Sequence, residues 1–102
     1  MNRLIEVRPV ARVLPSVLGV GVGDVLKFAA SGGKVTAGTA VELLGVLTQS
    51  VLGTDGQVLT AQGPPNVVLF RAVTAGPATI DVVTGDPWRS PSTQRIDLTV
   101  EL

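Results

Sequence analysis

An all-β, immunoglobulin-like sandwich of about seven strands is the fold this sequence predicts, and three features carry the prediction. Short runs rich in Val, Leu and Ile recur along the chain, each stopped by glycine, proline or an Asp/Asn turn residue. Aromatic residues make up only 3% against 45% hydrophobic, so the core must be built from aliphatic side chains, which suits packed sheets. At the C-terminus Ile96, Leu98, Val100 and Leu102 alternate with Arg95, Asp97, Thr99 and Glu101, a period of two that buries one strand face. A small barrel is the competing architecture. With 102 residues the chain is long enough for one domain and one core.

Taken in order, Arg3 to Arg8 reads as an edge strand, and Pro9 and Pro15 suit an edge or a strand start where a missing amide donor is harmless. Leu18, Val20 and Val22 share one face opposite Gly19 and Gly21. Gly23-Asp24 predicts a tight hairpin turn into a strand over 25–30. Residues 31–39, with three glycines, read as a flexible loop. The segment 40–50 is ambiguous between helix and strand, and its Val and Thr content and Gly45 favour a strand. Gly53-Thr54-Asp55-Gly56 is a turn before 57–61, and 62–66 is a second loop. A strand over 67–73, a turn at Ala75-Gly76-Pro77 and a strand over 78–83 follow. Gly85 to Pro91 holds two prolines and a glycine and is a loop carrying the single tryptophan, Trp88.

Composition excludes much chemistry. Eight basic and eight acidic residues are scattered to a net charge of zero, which argues against nucleic acid and against an anionic membrane as partners. Without cysteine there are no disulfides and no thiolate metal sites. Without histidine the commonest general base and zinc ligand are gone. No clear signal peptide precedes the first strands, so the default localisation is cytoplasmic. Asp81 and Asp86 are close in sequence, but one belongs to a strand's solvent face and the other precedes a proline, as turn residues do. Ser31 has only Lys34 as a nearby basic partner. Ser31-Gly32-Gly33-Lys34 lacks the spacing of a phosphate-binding loop, and no acidic cluster has calcium-ligand spacing. The expectation is a protein that is not an enzyme and needs no cofactor or metal. Loops on a rigid sandwich are the better place for function. Trp88, stiffened by Pro87 and Pro91, either anchors a partner or folds back to cap the core.

The order of these elements resembles the chagasin-type inhibitors of papain-like cysteine peptidases. In that family a glycine-rich loop, a Gly turn and an Arg-Pro-Trp loop separate the C-terminal strands. Here Gln62-Gly63-Pro64-Pro65 stands at the glycine-rich loop, Ala75-Gly76 at the turn and Asp86-Pro87-Trp88 at Arg-Pro-Trp. Gly23-Asp24-Val25-Leu26 resembles the turn and strand that open the first inhibitory loop, so 31–39 falls where Asn-Pro-Thr-Thr-Gly is expected. That motif is reduced to Thr36, Gly38 and Thr39, and only Pro87 and Trp88 match residue for residue.

The resemblance implies chagasin-like topology and a protein partner, a cysteine peptidase, gripped by three loops without chemistry. Its partner-binding residues would be Ser31, Gly32, Gly33, Lys34, Thr36, Gln62, Gly63, Pro64, Pro65, Asp86, Pro87, Trp88 and Arg89. The alternative is a structural or assembly module of a phage particle or cell-surface array, self-associating through an edge strand such as 3–8.

Overall fold

The computed structural model describes residues 3–10, 13–48, 51–52, 58–59, 66–84 and 91–102, the short pieces 51–52 and 58–59 as backbone only. The strands are β1 (Leu4–Val7), β2 (Val17–Gly21), β3 (Val25–Phe28), β4 (Gly32–Ala37), β5 (Val41–Leu47), β6 (Val51–Leu52), β7 (Val58–Leu59), β8 (Val67–Ala72), β9 (Gly76–Thr84) and β10 (Ser92–Glu101). No helix forms among the described residues. Two four-stranded sheets, ordered β1-β3-β8-β5 and β2-β10-β9-β4, pack as a sandwich, and β6 and β7 pair as a separate ribbon. The expected all-β sandwich is therefore present, with eight strands in its two layers.

The strand neighbours follow the immunoglobulin plan, with β3, β8 and β5 in the places of strands B, E and D, and β10, β9 and β4 in those of G, F and C. The N-terminal segment supplies an edge strand to each layer. β1 runs parallel to β3, as Leu4↔Val25 to Val7↔Phe28, and β2 runs parallel to β10, as Asp97↔Val17 to Glu101↔Gly21. Parallel neighbours need a crossover. Here the chain leaves β1, crosses to the other sheet as β2 and returns as β3.

That return is why Gly23-Asp24 is a turn but not a hairpin. Val22 donates its amide to Glu101 in one sheet (2.8 Å), and Gly23 donates to Ala72 in the other (2.8 Å). Gly23 has a φ of 92°, a left-handed conformation natural to glycine. Asp24 is buried, with 1% exposure. Its carboxylate accepts bonds from the Gly21 amide (2.8 Å) and from the Arg3 guanidinium (2.8 Å from Nη2, 3.3 Å from Nε). Charge-assisted bonds of this kind keep a carboxylate ionised. The Arg3 hydrogen bond first, and then the Gly21 amide, bring the Asp24 carboxyl down to about 2 against the opposing effect of burial.

The core lies between the layers. Phe28 and Phe70 meet edge to face, with ring centroids 5.7 Å apart and planes at 89°. Leu26, Val68, Ile80, Val82, Ile96 and Leu98 close around them. The alternation of β10 buries Ile96, Leu98 and Val100 as expected. Leu102 is fully exposed because pairing with β2 ends at Glu101. Strands at 40–50 and 67–73 are also found, as β5 and β8. β9 starts earlier than expected, with Gly76 and Pro77 already paired to β10. Pro77 is tolerated because β4 pairs with β9 only from Thr79 onward, so Pro77 lies on a free edge.

The expected loop over 31–39 is a correction. Residues 32–37 form β4, paired antiparallel to β9 from Gly32↔Val83 to Ala37↔Thr79. The glycine that suggested a loop serves close packing instead. A Cβ on Gly33 would stand 3.0 Å from Phe70 Cζ, 3.0 Å from Val68 Cγ1 and 3.2 Å from the Asp81 carbonyl oxygen. The chain bends only afterwards, at Gly38, where φ is 83° and a Cβ would meet the Pro77 carbonyl at 2.5 Å.

Two outcomes follow from these contacts. Gly33→Ala crowds the buried Phe70 and Val68 and the Asp81 carbonyl and is expected to cost about 1–3 kcal/mol in urea denaturation. Gly19→Ala meets nothing within 4 Å and should stay within about 0.5 kcal/mol of the parent; equal effects at the two positions would refute the packing account. The second outcome concerns acid. Because Asp24 titrates below its ordinary value of about 3.9, the unfolded chain takes up the proton first. Its contribution is complete above about pH 4 and is lost as pH falls through about 2. Asp24→Asn should therefore be less stable than the parent near neutral pH, with the gap narrowing on acidification. A gap that does not change with pH would exclude the ion pair as its cause.

Candidate functional site

One end of the sandwich gathers most of the connections. β3 leads through Ala29 and Ala30 to Ser31, and these residues touch the flanks of both C-terminal segments singled out in the sequence. The Ala30 amide donates to the Asn66 carbonyl (3.2 Å), and the Ser31 amide donates to the Val83 carbonyl (2.9 Å). Successive peptide groups thus hold the flank of 62–65 and the flank of 85–90 side by side. The far flank of the latter is closed by Thr84 Oγ1 donating to the Ser92 carbonyl (3.4 Å).

The β5–β8 pair reaches the same end, where Asn66 donates to Leu47 (2.9 Å). Its chain continues into the β6–β7 ribbon, paired as Val51↔Leu59 and Leu52↔Val58. The expected turn at 53–56 lies between these strands, outside the described residues.

The N-terminal crossover completes this pole. Val10 and Val13 exchange backbone bonds of 2.8 and 3.0 Å, and both side chains are exposed. Leu14 is clamped by Gln94, whose Oε1 accepts the Leu14 amide (3.0 Å) and whose Nε2 donates to the Leu14 carbonyl. Where the chain leaves β1, beside β3 and the start of β8, lies a cleft of about 420 Å³, lined in part by Glu6, Arg8, Pro9, Lys27, Asn66 and Val67. Glu6 holds its charge there between Arg8 (3.0 Å) and Lys27 (3.6 Å). The hydrogen bond from Arg8, and then the charge of Lys27, keep its carboxyl below the usual carboxylate range. The cleft combines an apolar floor with a charged wall, a surface suited to a side chain of a protein partner. No signal beyond Pro9 marked the Val10–Val13 bridge in the sequence.

The residues expected to bind a partner are distributed unevenly. Ser31 is at the pole, but its hydroxyl donates to the Val83 carbonyl (3.2 Å), so it is committed to the frame. Gly32, Gly33, Lys34 and Thr36 run away from the pole along β4, which puts Thr36 about 16 Å from Ser31. Lys34 lies opposite Asp81 on the outer sheet face, and Asp81 is paired with Arg95 (3.4 Å). Thr36 donates to the Thr79 carbonyl (3.2 Å). The three-loop arrangement is thus corrected: its first member is a strand, and only Ser31 borders the other two. Gln62, Gly63, Pro64, Pro65, Asp86, Pro87, Trp88 and Arg89 lie outside the described residues. Among the described residues no three carboxylates converge on a possible metal position.

Comparison by sequence finds no matching protein family and no matching curated protein. Among solved structures, a mutant of amicyanin in its reduced Cu(I) form at pH 4 aligns with a TM-score of 0.43 and 19% identity, over 95% of this chain and 81% of that one. The solution structure of amebosin aligns with a TM-score of 0.43 and 13% identity, over 99% of each chain. At those scores neither likeness bears on this chain, whose fold rests on its own strand pairing.

Proposed function

We propose that this protein is a non-enzymatic binding module that engages a protein partner through the pole formed around Ala30 and Ser31. The observation that carries the reading is the pair of adjacent amides, Ala30 to Asn66 and Ser31 to Val83, which tether the segments 62–66 and 85–91 to one rigid frame. The exposed Val10 and Val13 side chains and the neighbouring cleft enlarge the same surface. Four of the described carboxylates are engaged in ordinary structural bonds: Glu6 with Arg8 and Lys27, Asp24 with Arg3, Asp81 with Arg95, and Asp97 as acceptor from Thr79. That pattern supports binding over acid–base chemistry.

The specific form of the proposal follows the resemblance to chagasin-type inhibitors. The segments 62–66 and 85–91 would occlude the cleft of a papain-like cysteine peptidase, with Trp88 as anchor and Pro87 stiffening its segment. The 31–39 segment takes no part beyond Ser31.

Titration of papain with the purified protein, read with a fluorogenic peptide substrate, tests this form. Competitive inhibition is expected, weakened about 30-fold (about 2 kcal/mol) by Trp88→Ala with the unfolding midpoint unchanged. Absence of inhibition of papain and related peptidases at about 100 μM, where a Kd weaker than about 10⁻⁴ M would be needed to escape detection, would end the inhibitor form. Loss of stability by about 3 kcal/mol in Trp88→Ala would instead assign Trp88 to the core.

A further inference from the structure

The outer face of the β1-β3-β8-β5 sheet carries two hollows that share a wall. One is the cleft at the pole, lined in part by Glu6, Arg8, Lys27 and Val67. The other, of about 300 Å³, is lined in part by Leu4, Val25, Lys27, Leu47, Val67 and Leu69. Lys27 and Val67 belong to both. Strand alternation explains the placement. Leu26, Phe28, Val68 and Phe70 point into the core, so Val25, Lys27, Val67 and Leu69 point outward. Parallel pairing sets Leu4 beside Val25 and Glu6 beside Lys27. Among its described lining residues the second hollow is aliphatic apart from Thr48 and Lys27.

The charges gather at the pole end, as two cations and one carboxylate: Arg8, Lys27 and Glu6. Arg8 uses Nη2 to reach Glu6 at 3.0 Å, one of the five N–H donors of a guanidinium. Lys27 Nζ stands 3.6 Å from the same carboxylate, longer than a hydrogen bond. Among the described residues neither cation has another partner. The Lys27 side chain is only 27% exposed, so its charge is partly withdrawn from water, where a carboxylate partner is worth more. One unmatched positive charge beside an aliphatic hollow is complementary to a carboxylate that stands next to an apolar side chain.

We propose that this face binds an extended segment of the protein partner in which an apolar residue and an acidic residue stand two positions apart. The apolar side chain fills the hollow of Leu4, Val25 and Leu69, and the carboxylate sits between Arg8 and Lys27. Val25 and Lys27 are themselves two apart on one strand face, about 7 Å, and that is also the spacing of alternate side chains in an extended partner. The inference rests on reading the protein as a binding module and names the partner chemistry for the cleft at its pole. Peptidase occlusion would fall to the segments 62–66 and 85–91, whereas this contact lies on the outer sheet face, so the two are tested separately.

Two peptides make the test, acetyl-Leu-Thr-Glu-Thr-amide and the same peptide with Gln in place of Glu, each added to ¹⁵N-labelled protein. Saturable shifts of the Arg8, Lys27 and Leu69 amides are expected with the Glu peptide at a Kd of about 1–10 mM, and about 10-fold weaker binding with the Gln peptide. Lys27→Gln and Arg8→Gln should each weaken the Glu peptide about three-fold. Glu6→Gln should tighten it about three-fold, because it removes the competing carboxylate and leaves both cations. Arg8 is 82% exposed and its replacement leaves the core untouched, so the charge test stands if Lys27→Gln fails to fold. The absence of a saturable shift at about 20 mM Glu peptide overturns the proposal. So does equal binding of the two peptides, or inorganic phosphate reproducing the same shifts at the same concentration, which would make the cluster a site for any anion. A Glu6→Gln chain that binds the Glu peptide more weakly overturns it too. Papain inhibition without peptide binding would end this contact alone, and peptide binding without inhibition would leave it standing.

Discussion

The edge-to-face contact of Phe28 and Phe70 over the backbone of Gly33 is the constraint on which the rest of this sandwich depends. The chain has two phenylalanines and no tyrosine. Both phenylalanines sit on the inner face of one sheet, diagonal neighbours in the β3–β8 pairing. Facing sheets pack about 10 Å apart, so a layer carrying two aromatic rings needs a partner layer that is thin where the rings project. Gly33 supplies that thinness. Beside it, on β9 and β10, Ile80, Val82, Ile96 and Leu98 fill the rest of the space between the layers. β4 is therefore held as a strand by the ring it covers.

The second constraint is how the N-terminus is stitched across the layers. A chain that gives one strand to each sheet must cross the open side of the sandwich twice, and each crossing leaves backbone groups to satisfy. At one end Val22, Gly23 and Asp24 exchange bonds with Glu101 and Ala72, and the Arg3 guanidinium-to-carboxylate bridge to Asp24 ties the start of β1 to the same corner. At the other end Gln94 satisfies both backbone groups of Leu14 from a strand eighty residues distant. Polar side chains thus do at the seams what aliphatic packing does in the middle.

What could be read from the sequence follows from these two constraints. The alternation of Ile96, Leu98 and Val100 is a local pattern and survives intact; Leu102 continues it but has no β2 residue left to pair with. β5 and β8 were legible from β-branched content for the same reason. The segment 31–39 was not, because glycine is punctuation in a local reading, and the reason for Gly33 lies in Phe70, thirty-seven residues away. Asp24 read as a turn residue because its partner Arg3 is twenty-one residues earlier. Of the residues expected to bind a partner, Ser31 lies at the pole and Gly32 to Thr36 belong to a strand, while those in 62–65 and 86–89 lie outside the described residues. The Val10–Val13 bridge went unmarked, since two valines three apart carry no signal until the crossover brings them to the pole.

The geometry of the pole is itself a consequence of the core. Phe28 is fully buried, and only Ala29 separates it from Ala30, whose amide holds Asn66, while the next amide, of Ser31, holds Val83. Successive Cα atoms are about 3.8 Å apart, so the spacing between the flanks of 62–65 and 85–90 is set by one peptide unit anchored two residues from the aromatic contact. The frame that carries the Asn66 and Val83 carbonyls is thus fixed when the core folds. It follows that a substitution at Phe28 would act at the pole through the position of Ala30 and Ser31 and the flanks they hold. The pole is in this sense an extension of the core, and its geometry and the stability of the sandwich are written in the same few residues.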